Sequence, residues 1–123
     1  MKTFLLSAVL AVGCLVSTGA SAGGPLTRCG WVLNPTPGNW YLSDGDGDWT
    51  LATQGSDEEA VGMENIGDIS AGDYEATNGN YGYACGCMKV RDDPATMRIL
   101  EVLSFRQSSL AKCKKDPHLP SPR

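Results

Sequence analysis

The stretch Tyr81-Gly82-Tyr83-Ala84-Cys85-Gly86-Cys87-Met88-Lys89-Val90 alternates large and small side chains, and its reading decides the fold. On a β-strand, successive side chains point to opposite faces. Tyr81, Tyr83, Cys85 and Cys87 therefore share one face, and Gly82, Ala84 and Gly86 leave the other nearly bare. A small-residue face admits another backbone or a large ring at close range. Trp31, Trp40 and Trp49 are the rings expected to fill it. Just upstream, Asn78-Gly79 is a strong short hairpin signal, pairing this strand with Tyr74-Glu75-Ala76-Thr77.

Working outward, Arg28-Cys29-Gly30-Trp31-Val32-Leu33 reads as a first strand, stopped by the rigid turn Asn34-Pro35-Thr36-Pro37-Gly38. Trp40-Tyr41-Leu42-Ser43 and Trp49-Thr50-Leu51-Ala52-Thr53 carry aromatic and β-branched residues suited to a pleated surface. Residues 54–72 are acidic and poorly periodic, a loop with a short strand at Val61 to Met63. Arg91 to Thr96 contains Asp-Asp-Pro and reads as a turn. Met97 to Phe105 fits helical or strand spacing, and the hairpin context favours strand. Ser108 to Lys115 forms a short helical turn, and residues 117–123, with Pro117, Pro120 and Pro122, an irregular tail. The expected fold is mainly β: a small antiparallel sheet or meander, sandwich or barrel-like, with at most a short C-terminal helix.

The N-terminus reads as a secretory leader over residues 1–22. Lys2 precedes an apolar run from Thr3 to Val16 that is too short to span a bilayer, and Ala20-Ser21-Ala22 is a cleavage site. Lipid anchoring at Cys14 is the lesser alternative, because Ala11 suits a lipobox poorly. The remaining residues 23–123 make one small domain, with no membrane-spanning segment, placed in the periplasm or outside the cell. Its four cysteines, Cys29, Cys85, Cys87 and Cys113, imply two disulfides in an exported chain. Joining Cys85 to Cys87 would close a very small ring, so each is expected to pair outward, to Cys29 or Cys113 in an undetermined order.

Charge is uneven on this chain of formal net charge −4. Ten acidic residues and no lysine or arginine lie between Asp44 and Glu75, and eight basic residues follow from Lys89 onward. The simplest expectation is that the two halves fold together and partly neutralise. Net acidity and the lack of a basic stripe interleaved with aromatics argue against nucleic acid.

Few motifs point to chemistry. Asp44, Asp46 and Asp48 alternate like calcium ligands, but an EF-hand loop needs glycine sixth and glutamate twelfth, and Trp49 and Gly55 stand there. Asp46-Gly47 reads instead as a two-residue hairpin tip. Calcium binding by the acidic segment 44–59 is one alternative function. Thiol–disulfide exchange by Cys85 and Cys87 is a second; it needs an exposed, activated thiolate. His118, the single histidine, lies in the proline-rich tail, where no triad or zinc site can be held rigidly. No catalytic residue, metal or cofactor is expected. Binding remains, with Trp31, Trp40, Trp49, Tyr81 and Tyr83 as candidate anchors.

Three blocks carry a family resemblance. They are Cys29-Gly30-Trp31 running into Asn34-Pro35-Thr36-Pro37, Thr77-Asn78-Gly79 followed by Tyr81-Gly82-Tyr83 and Cys85-x-Cys87, and Cys113 with Asp116, Leu119 and Pro120. Together they resemble a family of small exported bacterial proteins catalogued as domain of unknown function 4087. The resemblance implies export and a disulfide-stapled domain, and no reaction or ligand. The expected function is that of a non-enzymatic binding or accessory domain of the bacterial envelope, with an envelope or extracellular protein or glycan as partner.

Overall fold

The structure, a computed structural model, describes Gly13 and residues 24–122. Cys14 and, Gly13 aside, the rest of the expected leader lie outside the described residues. Among the described residues the chain forms six strands: β1 (Leu26–Thr36), β2 (Asn39–Asp44), β3 (Gly47–Ala52), β4 (Tyr74–Asn78), β5 (Tyr81–Asp93) and β6 (Arg98–Ser108). A short helix, α1 (Leu110–Lys114), follows, and single 3-10 turns sit at Met63–Asn65 and Ile69–Ala71. The fold is thus mainly β, as the alternation requires. Of the segment Met97 to Phe105, Arg98 onward is strand, and Met97 ends the preceding turn with a φ of 54°.

The pairings close on themselves. β1 runs antiparallel to β2 and, on its other side, to β5 from Leu26↔Val90 to Asn34↔Gly82. β2 pairs with β3 and β5 with β6, both antiparallel. A single parallel bridge, Thr50↔Arg98, joins β3 to β6 and completes the ring β1-β2-β3-β6-β5. The spatial order β5-β1-β2-β3 is a Greek key. Ala60 and Val61 fill the thin seam: the Ala60 N–H donates to Leu51 O at 2.8 Å, and Val61 bridges Glu101. Val61 is therefore a lone bridge, and Met63 belongs to a 3-10 turn, where the sequence pattern suggested one short strand. β4 pairs with the start of β5 outside the ring.

The two faces of β5 separate two clusters. Val32, Leu42, Trp49, Leu51, Ala84, Met88, Val90, Ile99 and Val102 fill the ring, roofed by Ala60, Ile66 and Ile69 of the long loop. Outside it, Trp31, Cys85, Leu110 and Cys113 pack with Leu33, Tyr83 and Leu119. The small-residue face does meet close neighbours. A Cβ on Gly86 would collide with the Phe105 ring, one on Gly82 with the Glu75 carbonyl, and one on Gly30 with that of Ser43. The ring against Gly86 is Phe105, and not one of the tryptophans expected there. Phe105 lies opposite Met88 on β6, two residues along from Gly86, and so reaches it diagonally.

Four turns shift by one to three residues, and the last of them, expected over Arg91 to Thr96, is residues 94–97 because β5 runs on to Asp93. β1 continues through Pro35 at a register irregularity between Leu33 and Thr36, a position that needs no ladder N–H, and the turn is Pro37-Gly38. Asn34 Nδ2 holds this turn through Thr36 O and Asn39 O at 3.0 and 2.9 Å. The β2–β3 tip is Gly45-Asp46, since Asp44 pairs with Gly47. The β4–β5 tip is Gly79-Asn80, since Asn78 pairs with Tyr81.

Both disulfides pair outward. Cys29–Cys87 joins directly opposed residues of β1 and β5, and Cys85–Cys113 fastens α1 to the outer face. The loops they close, with sequence separations of 58 and 28, correspond to about 4.2 and 3.6 kcal/mol in the chain-entropy model.

Candidate functional site

Two places gather polar side chains with defined geometry. The first lies at one end of the ring. Arg28 Nε donates to Asp92 Oδ2 at 2.6 Å, and Arg28 Nη1 to Asp44 Oδ2 and Asp46 Oδ2, each at 2.9 Å. The guanidinium lies over the Trp49 ring, 3.8 Å from its centroid. Asp44 Oδ1 accepts from Trp49 Nε1 at 3.0 Å and from the Asp46 N–H at 2.9 Å. Burial by itself lowers the Arg28 pKa, but the bonds to Asp92, Asp46 and Asp44 and the Asp92 charge outweigh it, holding the pKa above the ordinary arginine value. Asp44 and Asp46, candidate ligands only under the calcium alternative, thus meet the chain's own cation. Arg28 is the sole basic residue from position 23 to 88, a signal legible in the sequence but missed there.

Asp48 leaves this group. It pairs with Ser43 across β2–β3, and its side chain lines the outer face. Among the described residues no set of three His, Cys, Asp or Glu side chains converges to hold a metal ion. Only one ion pair there joins the acidic stretch to the basic half, Arg98 to Glu58 at 3.4 Å. The two halves therefore neutralise each other little, and Arg28 does most of the pairing.

The second place is a groove of about 450 Å³ on the outer face of β1–β2–β3. Its floor is a grid set by strand register. Leu33, Tyr41 and Thr50 lie opposite one another in one row, and Ser43 and Asp48 form the next. Pro35 closes one end, and Pro120, Ser121 and Pro122 form a wall. That wall is held by Leu119 in the outer cluster and by Trp31 Nε1, which donates to Pro120 O at 3.0 Å. Cys85–Cys113 anchors the helix from which the tail departs. The Asp48 side chain makes no hydrogen bond or ion pair among the described residues.

The aromatic residues singled out by sequence divide. Trp31 and Trp49 are 1% and 2% exposed and serve the two clusters, so neither presents a surface ring. Trp40 is half-buried against the inner cluster. Tyr81 and Tyr83 are half-buried, and Tyr83 meets Trp31 edge-on at 5.2 Å. Burial chiefly, and then the Glu75 charge, raises the Tyr83 pKa above the ordinary 10.0. The groove's aromatic is Tyr41, which was overlooked, although its inward neighbour Leu42 implied its outward direction. Cys85 and Cys87 belong to different disulfides, so neither is a free thiol. His118 is exposed beside Asp116, with Nδ1 3.2 Å from Oδ1.

Fold and site together define a small, disulfide-stapled Greek-key barrel with a walled outer groove. Its family follows from the sequence match: the chain belongs to the family described as protein of unknown function (DUF4087), whose model matches residues 25–120. No curated protein and no solved structure matches it.

Proposed function

We propose that the chain is an exported, non-enzymatic binding domain of the bacterial envelope, and that it binds through the outer groove of β1–β2–β3. The groove carries this reading: it combines an apolar floor with a few placed polar groups, in a volume typical of ligand sites. Elsewhere, Asp44, Asp46 and Asp92 are occupied by Arg28, and the paired cysteines by one another. Export rests on the leader pattern and on the two disulfides, which suit an oxidising compartment. Among the described residues, no helix is long and apolar enough to cross a membrane. Five-stranded, partly open Greek-key barrels include a class that binds ligands on the face of its second and third strands, a likeness of architecture alone.

The test is sedimentation of the disulfide-bonded domain from Gly23 with isolated bacterial envelopes, beside Tyr41→Ala and an Arg106→Ala control on exposed β6. Saturable binding that is lost only with Tyr41→Ala is expected. Absent binding, equal binding by both variants, or turnover of substrates in a hydrolase panel would overturn the reading.

A further inference from the structure

Resting on that reading, we propose that the groove takes a sugar ring of an uncharged glycan, with Tyr41 as its platform, Asp48 as a hydroxyl acceptor and Pro120–Pro122 as the wall. The lining decides the ligand class in three ways. First, among the described residues it contains a carboxylate and no lysine or arginine, so a phosphate, sulfate or carboxylate on the ligand would meet repulsion there. Anionic glycans and nucleic acids are disfavoured on that ground.

Second, the floor offers little strand edge, because β3 too meets β6 at the Thr50–Arg98 bridge. β2 is paired on both sides, β1 is held between β2 and β5, and β3 between β2 and the β6 seam. An extended peptide gains most of its affinity in such sites by adding main-chain hydrogen bonds to a free edge. Here it would have few to add.

Third, the polar and apolar groups alternate on the scale of one ring. A saccharide presents C–H groups on its faces and hydroxyls around its rim. Leu33, Pro35 and the Tyr41 ring supply the apolar surface, with Pro120 and Pro122 across from them. The Thr50 hydroxyl lies in the Tyr41 row, and Ser43 and Asp48 in the adjacent one, so donors and an acceptor border the apolar patch. Asp48 is exposed, and among the described residues no side chain donates to its oxygens, unlike Asp44 in the Arg28 cluster. The proline φ angles are fixed, so the wall is shaped before the ligand arrives and little ordering remains to be done on binding.

The indole N–H groups provide internal reporters. Trp31 Nε1 bonds the wall at Pro120, whereas Trp49 Nε1 bonds Asp44 inside the ring. Titration of the isotopically labelled, disulfide-bonded domain with cellotetraose and with the N-acetylglucosamine tetrasaccharide is expected to move the Trp31 indole signal and the Tyr41 and Thr50 amides saturably for at least one of them. The Trp49 indole should stay in place. A sulfated tetrasaccharide and a proline hexapeptide should leave all of them unmoved. Tyr41→Ala should weaken sugar binding at least tenfold, Asp48→Asn several-fold, and a chain ending at Leu119 several-fold with little change in melting temperature. Failure of both neutral sugars, equal binding by the sulfated sugar or the peptide, or unchanged affinity in Tyr41→Ala and Asp48→Asn would overturn the proposal. Tyr41-dependent binding to envelopes with no response to either neutral sugar would overturn this ligand class and leave the binding-domain reading intact.

Discussion

Replacing Arg28 with methionine tests how far the ion cluster stabilises the barrel. The side chain is 11% exposed, and its three acceptors respond differently to its loss. Asp46 is 73% exposed, so water replaces the guanidinium there at little cost. Asp44 keeps the Trp49 Nε1 and Asp46 N–H donors. Asp92, 6% exposed on its side chain, has Arg28 as its hydrogen-bond partner among the described residues and is left as a buried, unpaired charge. Removing one member of a buried pair typically costs about 3–5 kcal/mol. Stacking on Trp49 accounts for about 0.5–2 kcal/mol of that loss. Equilibrium urea unfolding followed by tryptophan fluorescence, with disulfides intact, should show the midpoint of Arg28→Met falling by roughly 2 M for a slope of about 2 kcal/mol/M. Adding Asp92→Asn to that variant removes the stranded charge and should recover about 1–2 kcal/mol. A loss below about 1 kcal/mol for Arg28→Met, or an Asp92→Asn cost that simply adds to it, would refute the argument.

Two further outcomes follow from exposure and burial. Limited reduction should open Cys29–Cys87 before Cys85–Cys113, because Cys29 is exposed whereas Cys85 and Cys113 are each 4% exposed; differential alkylation and mass spectrometry read the order, and the reverse order contradicts this. Stability should fall as pH rises above about 10. The folded pKa values of Tyr83 and Tyr74 are raised, mainly by burial and then by Glu75 and Asp68 respectively, so their contribution is complete below the ordinary 10.0 and lost through the higher folded values. Tyr83→Phe should flatten that alkaline decline in urea midpoints measured from pH 9 to 11.5, and an unchanged slope would refute it.

The sequence was most legible where one local rule acted alone. Period-two alternation from Tyr81 to Val90 determined a strand with two unlike faces, and the cysteine spacing determined that Cys85 and Cys87 pair outward. Strand context resolved the segment correctly from Arg98 to Phe105, because a hairpin partner was already in place, and missed that Met97 belongs to the turn. Turn tips were off by a residue where glycine follows asparagine or aspartate, since register is decided by cross-strand pairing as much as by turn residues. Three aspartates at alternate positions looked like one set, and pairing sends Asp44 toward Arg28 and Asp48 to the outer face. Their chain spacing carried no information about Arg28, which arrives from β1, or about Asp92, which arrives from the far end of β5.

Composition, strand alternation and cysteine count thus determined by themselves a small, mainly β, disulfide-stapled chain, because each rests on local chemistry. Which cysteine meets which, what neutralises the aspartates, and where an aromatic is left facing outward were decided only by ring closure. The groove joins Leu33, Tyr41 and Thr50 to a tail some seventy residues later in the chain. Contacts of that range depend on strand register and on the Cys85–Cys113 staple, and neither is written in any local stretch of sequence.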